Sequence, residues 1–576
     1  MVSGSPNVRW FESLRLEDIP LVGGKNASLG ELYSELFESG VRVPNGFALT
    51  AAAYTGALSS AAAWSSLHAL LDSLDITDVT LLADRAAQAR RVVYNATGNA
   101  KLRADIELAY HQLETQYGAG VPVAVRSSAT AEDLPTASFA GQHESFLNIR
   151  GADELFEACR LCFASIFTDR AIVYRANNGF DHFKVALSVG VMKMVRSERA
   201  SSGVMFTLDT ESGFRDVVFI TGIYGLGENI VQGTVDPDEF YVHKPTFKQG
   251  HRAILRRSLG QKQLRLTYAE DHTGSTTHNL QTSEAERAHF CIEDSEALRL
   301  AGYAIRIEEH YSRCAGHAQP MDIEWAKDAD DGELYIVQAR PETVASQRSA
   351  STFEVYTLTG KGTLLFSGKA VGEKIGTGAV RIINGTEDLH GFKPGEVLVA
   401  ASTSPDWEPV MKTAGAIITD HGGRTCHAAI VARELGIPAV VGAEVATRKL
   451  QHGEQVTVSC TGGETGLVYA GRIPFEVTRL PASALALPKT AIMINLGNPD
   501  LAFRCAMMPN SGVGLARMEF IINEHIGIHP MALAHPDKVA TADLDRIRKL
   551  AHNYLQRPCA RDASGAQREP GDARAK

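Results

Sequence analysis

The residue best placed to do chemistry in this chain is His427, within GGRTCHAAIVARELGIPAVVG, Gly422 to Gly442. Two glycines allow a tight turn ahead of it, after the short apolar run Gly415 to Asp420, which suits a buried strand. A helical pattern then runs to about Leu435, with Gly436 as its stop and Pro438 just beyond. Thr425 reads as the N-cap. His427 is thus expected in the first helical turn, where free backbone N–H groups and the positive end of the dipole favour a bound anion. The same position favours a neutral imidazole, which keeps a ring nitrogen available as nucleophile and would suit a phosphorylated ring. A lone histidine at such a turn is more often a hydrogen-bonding loop residue. Here the surrounding motifs favour the phosphoryl carrier.

Other polar residues fall in the first 345 positions. Gly23, Gly24 and Lys25 place a cation beside two glycines, so that backbone and ammonium can approach phosphates, although the Walker spacing is missing and a turn before a helix explains the triplet as well. In VAVRSSATAEDLPTASFAGQHESFLNI, Val123 to Ile149, an apolar strand is expected to deliver Arg126 at its end. Its guanidinium matches phosphate oxygens, and the bland alternative is an ion pair with Glu132 or Asp133. Lys193 interrupts the apolar run ALSVGVMKMV as either a nucleotide contact or a snorkelling residue. YGLGE, Tyr224 to Glu228, is a weak glycine-loop signal. In MDIEWAKDADDGELYIVQARPETV, Asp330, Asp331 and Gly332 form a turn between two strand-like runs. Alternation places Asp322 and Glu324 on one face, with Gln338 and Arg340 on one face of the partner. Oxygen ligands beside an arginine suit magnesium and a triphosphate, and a surface hairpin is the alternative.

The His427 stretch resembles the phosphohistidine signature of the phosphoenolpyruvate-utilising enzymes, and its TCH core is most similar to the phosphoenolpyruvate synthase (pyruvate, water dikinase) branch. The resemblance implies an ATP-grasp nucleotide-binding domain over 1–345, a linker at 346–359, a swivelling β/β/α phosphohistidine domain over 360–471, and a second linker at 472–488. It further implies the start of a phosphoenolpyruvate/pyruvate-binding β/α (TIM) barrel over 489–555. The fold class is therefore multidomain, α+β and α/β. By the same resemblance Lys25 and Arg126 contact nucleotide phosphates. Glu324 and Gln338 ligate Mg2+, Arg340 stabilises the transition state, and Arg517 in GVGLARMEF grips the substrate. Thr425 resembles a regulatory threonine, modified by a dedicated kinase/phosphorylase partner. The implied reaction turns ATP, pyruvate and water into AMP, phosphoenolpyruvate and phosphate, as part of gluconeogenesis, and a homodimer is the accompanying assembly.

A full barrel needs roughly 250 residues, which the positions after 489 do not supply. The sequence therefore reads as C-terminally truncated, with 556–576 a disordered tail and the pyruvate half-reaction weakened. The alternatives are a non-catalytic nucleotide-binding remnant and a related dikinase or antibiotic phosphotransferase. A formal net charge of -10 without a basic stripe argues against nucleic acid, and no apolar run is long enough to span a bilayer. The eight cysteines are dispersed, which suits a reducing, cytoplasmic setting. Cys159 and Cys162 form a C-x-x-C on an apolar helical stripe and read as core.

Overall fold

The computed structural model describes residues 5–72, 74–76, 78–130, 145–177, 179–268, 277–343, 352–404, 407–481 and 488–540, with 543, 544 and 547. The chain divides into two compact units, Met1–Pro481 and Ala482–Lys576.

The larger unit begins with two antiparallel sheets. The first has five strands in the order Val8–Trp10, Gly46–Leu49, Leu187–Lys193, Val123–Ala129, Ser145–Ile149. Its outer side is covered by helices Ala51–Ser60, Val79–Ala96, Ala100–Tyr117 and Ala152–Ala164. The second has six, in the order Leu334–Pro341, Met321–Lys327, Ser201–Phe206, Val217–Tyr224, Asp238–His243, Ile254–Ser258. Helix Asp294–Ala315 covers it, burying Ala297, Leu300, Ala301, Ala304 and Ile307 at helical spacing. Cys159 and Cys162 are fully buried in the first core, as their stripe predicted.

A helical segment broken at Gly23 joins the sheets. Ile19–Glu35 sends Asn26 Nδ2 to Ser188 Oγ (3.0 Å) on the first and Ser28 Oγ to the Ala339 carbonyl (2.6 Å) on the second. Such bonds satisfy buried polar groups at a seam that apolar packing alone would leave free to slide.

Residues 364–470 close a seven-stranded barrel, whose three parallel contacts (Ile375–Ile382 to Val397–Ala400 to Ala416–Thr419 to Ala439–Val441) follow the Gly- and Val-rich runs of the sequence. Alternate side chains of these strands fill its interior, among them Val380, Val399, Ile418 and Val440, with Val458 from strand Gln455–Ser459. The stretches read as connectors differ from that reading where they are described. Thr352–Leu358 and Phe475–Pro481 pair as a two-stranded antiparallel ladder from Thr352↔Pro481 to Leu358↔Phe475. Phe475, Val477 and Arg479 stand opposite Leu358, Tyr356 and Glu354, so each strand satisfies the other's backbone, which a composition-based reading of polar and proline-flanked segments misses. Residues 344–351, 482–487 and 548–576, including the proposed tail, lie outside the described residues.

In the smaller unit Ile494–Leu496 and Val513–Ala516 are parallel neighbours with helical turns between them, the strand-helix-strand order read from sequence. Among the described residues no helix is long and apolar enough to cross a membrane.

Candidate active site

The hairpin forms as anticipated, and its register sets Asp322 opposite Arg340 and Glu324 opposite Gln338, so the four share one face. Arg340 Nε donates to Asp322 Oδ2 at 2.9 Å. From the other sheet Arg126 spans the gap, with Nη2 3.2 Å from Glu324 Oε2 and Nη1 3.3 Å from the Val337 carbonyl. Arg126 is not at a strand end as expected. It lies mid-strand, because Ser127, Ser128 and Ala129 continue the ladder against Val189, Ser188 and Leu187. Its carboxylate partner is Glu324; Glu132 and Asp133 lie outside the described residues.

Gly23 explains how the Gly-Gly-Lys triplet joins this cluster. Its φ is +73°, and a Cβ there would sit 2.3 Å from Ser128 Oγ. Asn26 N donates to the same oxygen at 3.3 Å, so the triplet lies directly on the Arg126 strand, with Lys25 half-buried beside it. Gly225 of YGLGE has a plainer cause: its φ is +85° and a Cβ would meet the Leu266 carbonyl at 2.5 Å. Lys193 lies elsewhere. Its Nζ is 3.1 Å from Asp328 and faces the rings of Tyr117 and Tyr335. Asp328 is four residues beyond Glu324, about 13 Å along an extended strand, so the structure does not bring Lys193 into the cluster.

The cluster fits a divalent cation. Burial pushes the Asp322 carboxyl up, Arg340 opposes this, and Glu324 and Glu342 push it further up. Carboxylates thus crowd one another despite two arginines, a surplus of hard oxygen donors that Mg2+ would relieve.

His427 opens a helix, His427–Leu435, that ends at Gly436 in the left-handed conformation (φ +65°), as the sequence indicates. The N-cap is Cys426 rather than Thr425, and it makes no side-chain capping bond. Cys426 takes the extended backbone that begins the helix, its carbonyl accepting from Ile430 N at 2.9 Å, which leaves Thr425 one residue too early to cap. The Thr425 hydroxyl is buried without a hydrogen-bond partner among the described residues. His427 itself is half-buried, with Nδ1 3.0 Å from Thr403 Oγ1.

A charge network missed in the sequence docks this barrel on the six-stranded sheet. Arg433 Nε lies 3.0 Å from Glu211 Oε1, while Gly372 N donates to Glu211 Oε2 at 2.8 Å. Arg424 Nη1 donates to the Tyr241 hydroxyl at 3.1 Å and its Nη2 pairs with Glu464 at 2.8 Å. Lys369 Nζ bridges Asp236 (2.6 Å) and Glu239 (3.1 Å). Burial raises the Glu239 carboxyl, but Lys369, Arg424 and Arg256 outweigh it and bring the group to about 2. Glu211 is likewise held low, by Arg433 and Arg424 against the cost of burial. Close approach is required where Cys426 meets Gly233, since a Cβ at Gly233 would lie 2.3 Å from the cysteine's own.

The register fixes which face the barrel covers. Tyr241 pairs with Phe219, Phe219 with Phe206, Phe206 with Asp322, and Asp322 with Arg340. Paired residues share a face, so Arg424 docks on the side that carries the Arg340 cluster, four strand spacings or about 19 Å away. In the other unit Arg517 follows strand Val513–Ala516, with its N–H on the Leu496 carbonyl (2.8 Å) and its guanidinium over Phe520.

Two family models match the chain: "Pyruvate phosphate dikinase, AMP/ATP-binding domain" over residues 19–357, and "PEP-utilising enzyme, mobile domain" over residues 392–463. A phosphoenolpyruvate synthase of Pseudomonas aeruginosa (strain UCBPP-PA14) is 55% identical over 524 residues, covering 91% of this chain and 65% of that protein. Those of Helicobacter pylori (strain ATCC 700392 / 26695) and Escherichia coli (strain K12) are 51% and 49% identical, covering 95% and 96% of this chain and 68% of each relative. The chain thus spans about two thirds of the length of the curated relatives it matches. With one family model spanning the two-sheet segment and another the His427 barrel, and half the residues shared with these relatives, the chain belongs to the phosphoenolpyruvate synthase family of PEP-utilising enzymes.

Proposed function

We propose that the chain works as a phosphoenolpyruvate synthase, with His427 carrying a phosphoryl group from ATP to pyruvate. The observation that carries this reading is the docking of the His427 barrel on the sheet face that bears Arg340, Glu324 and Gln338. In this reading the Nδ1–H of His427 is directed at Thr403 Oγ1, 3.0 Å away, which leaves the lone pair on Nε2. Nε2 attacks the β-phosphorus of ATP, the bond to the α-phosphate oxygen breaks, and AMP departs. Water then removes the terminal phosphate as inorganic phosphate and leaves phosphohistidine, which gives its phosphoryl group to the enolate oxygen of pyruvate.

In this reading 1–345 is an ATP-grasp domain and 360–471 a swivelling carrier. Lys25 and Arg126 position the phosphates, Arg340 offsets charge that develops in transfer, and Glu324 and Gln338 hold Mg2+. The ion, when bound, neutralises phosphate oxygens. Arg126 and Arg340 pair with Glu324 and Asp322, and bound phosphates would compete with these carboxylates for both. Arg517 serves the pyruvate side. Regulation by a kinase/phosphorylase at Thr425 would need the barrel to lift, because that hydroxyl is buried in the docked arrangement. Phosphate there would add negative charge two residues from His427 and repel the triphosphate. A cytoplasmic location and a homodimer complete the proposal.

The test is the product. Mixing the chain with MgATP should release AMP, up to one per chain without pyruvate, and His427→Ala should release none. ADP as the sole nucleotide product would refute the reading.

A further inference from the structure

Away from the phosphoryl-transfer cluster, three side chains of unlike chemistry converge. His310 and Cys314 lie one turn apart on helix Asp294–Ala315, and Glu31 faces them from helix Ile19–Glu35. His310 Nε2 is 2.6 Å from Glu31 Oε1 and 3.7 Å from Cys314 Sγ, and one ligand atom from each residue lies within 4.8 Å of the others. Glu31 and His310 are 6% and 8% exposed, whereas Cys314 is exposed. Glu31 Oε2 accepts from Leu16 N at 3.1 Å, which holds the carboxylate in place.

We propose that Glu31, His310 and Cys314 form a zinc-class transition-metal site. The spacing fits. With Zn–N and Zn–O near 2.05 Å and Zn–S near 2.3 Å, tetrahedral geometry sets N···S at about 3.6 Å and N···O at about 3.3 Å. The N···S separation already matches, and the N···O pair must open by roughly 0.7 Å, within reach of a glutamate rotamer adjustment. A thiolate and an imidazole select zinc-class metals over magnesium, which is confined to oxygen donors. Cys314 on the exposed side leaves a fourth position for water. Binding balances as follows: with Glu31 as the carboxylate and His310 as an uncharged imidazole, the thiol proton of Cys314 goes to solvent and the imidazole proton sits on Nδ1 so that Nε2 can ligate, which releases one proton per metal. Burial and then Glu31 raise the Cys314 thiol, and the metal reverses that.

The site would have a structural consequence. Ser28, three residues before Glu31, bonds to Tyr311 and to the Ala339 carbonyl beside Arg340, so a metal would pin the seam that aligns the two sheets.

The experiment uses the full chain, stripped with a chelator and titrated with Co2+ at neutral pH without nucleotide. One equivalent should give a near-ultraviolet thiolate-to-cobalt absorption band. Cys314→Ser, a one-atom change at an exposed position, should abolish the band, His310→Ala should weaken Co2+ binding at least tenfold, and Cys505→Ser should change nothing. Absence of an equimolar band in the folded wild-type chain, or a band that survives Cys314→Ser, overturns the proposal.

Discussion

Replacing Glu211 with glutamine tests whether buried charge holds the carrier barrel on the sheet. The wild-type carboxylate accepts from Arg433 Nε and the Gly372 amide, and sees Arg424. Glutamine keeps the size and an acceptor oxygen but loses the charge that compensates two buried guanidinium groups. A charge-assisted bond contributes about 1.5–3 kcal/mol and its neutral counterpart about 1 kcal/mol. Outright breakage of a buried pair would cost about 3–5 kcal/mol, but undocking lets the arginines rehydrate, which caps the penalty. A value of ~2 kcal/mol shifts the docked-to-undocked ratio about 30-fold. Hydrogen exchange reads this directly. Peptides spanning residues 422–433 should exchange about 30-fold faster in the variant, by mass spectrometry at neutral pH without nucleotide, if they exchange through undocking. Strand Val217–Tyr224, within the sheet, is the internal control and should be unchanged. Unaltered exchange across 422–433 would refute the latch.

The same network makes docking acid-sensitive. Glu239 falls from its ordinary 4.5 to about 2 when folded, so its contribution is fully present above about pH 4.5 and is lost as pH drops toward 2. Glu239→Gln should reduce that dependence in small-angle scattering profiles recorded across this window, with Glu211, also held low, supplying the remainder. Thr403→Val removes the hydroxyl that orients the imidazole and should slow phosphorylation of His427 by about tenfold while leaving ATP affinity unchanged, checked by rapid quench and equilibrium binding. Asp322→Asn removes a carboxylate whose ionisation is opposed by burial and by Glu324 and Glu342, and takes the charged acceptor from Arg340 Nε; Mg2+ affinity measured calorimetrically with a non-hydrolysable ATP analogue should fall severalfold.

Local signals carried much of the architecture. Alternation along Met321–Pro341 placed Asp322, Glu324, Gln338 and Arg340 on shared faces because a hairpin's register is set within its own residues. The His427 helix was bounded by Gly436 for the same reason, its left-handed stop being a one-residue property. The N-cap shifted by one residue, since cap choice depends on backbone torsions that Thr425 and Cys426 share between them. Long-range pairs were invisible. Nothing near Glu211 announces Arg433, more than two hundred positions later, and Lys193 could be separated from the nucleotide cluster only once Asp328 was seen beside it. Arg424 was within the His427 motif, and its proximity to the histidine was the one available hint of a docking role.

The central claim is that His427 receives the β-phosphoryl group of ATP. The direct measurement is parallel incubation of the chain with ATP labelled at the β or the γ phosphate, followed by mapping of acid-labile label. β-label on the peptide containing His427, with γ-label recovered as inorganic phosphate, is the predicted result; label on another residue, or retention of γ-label alone, would contradict it.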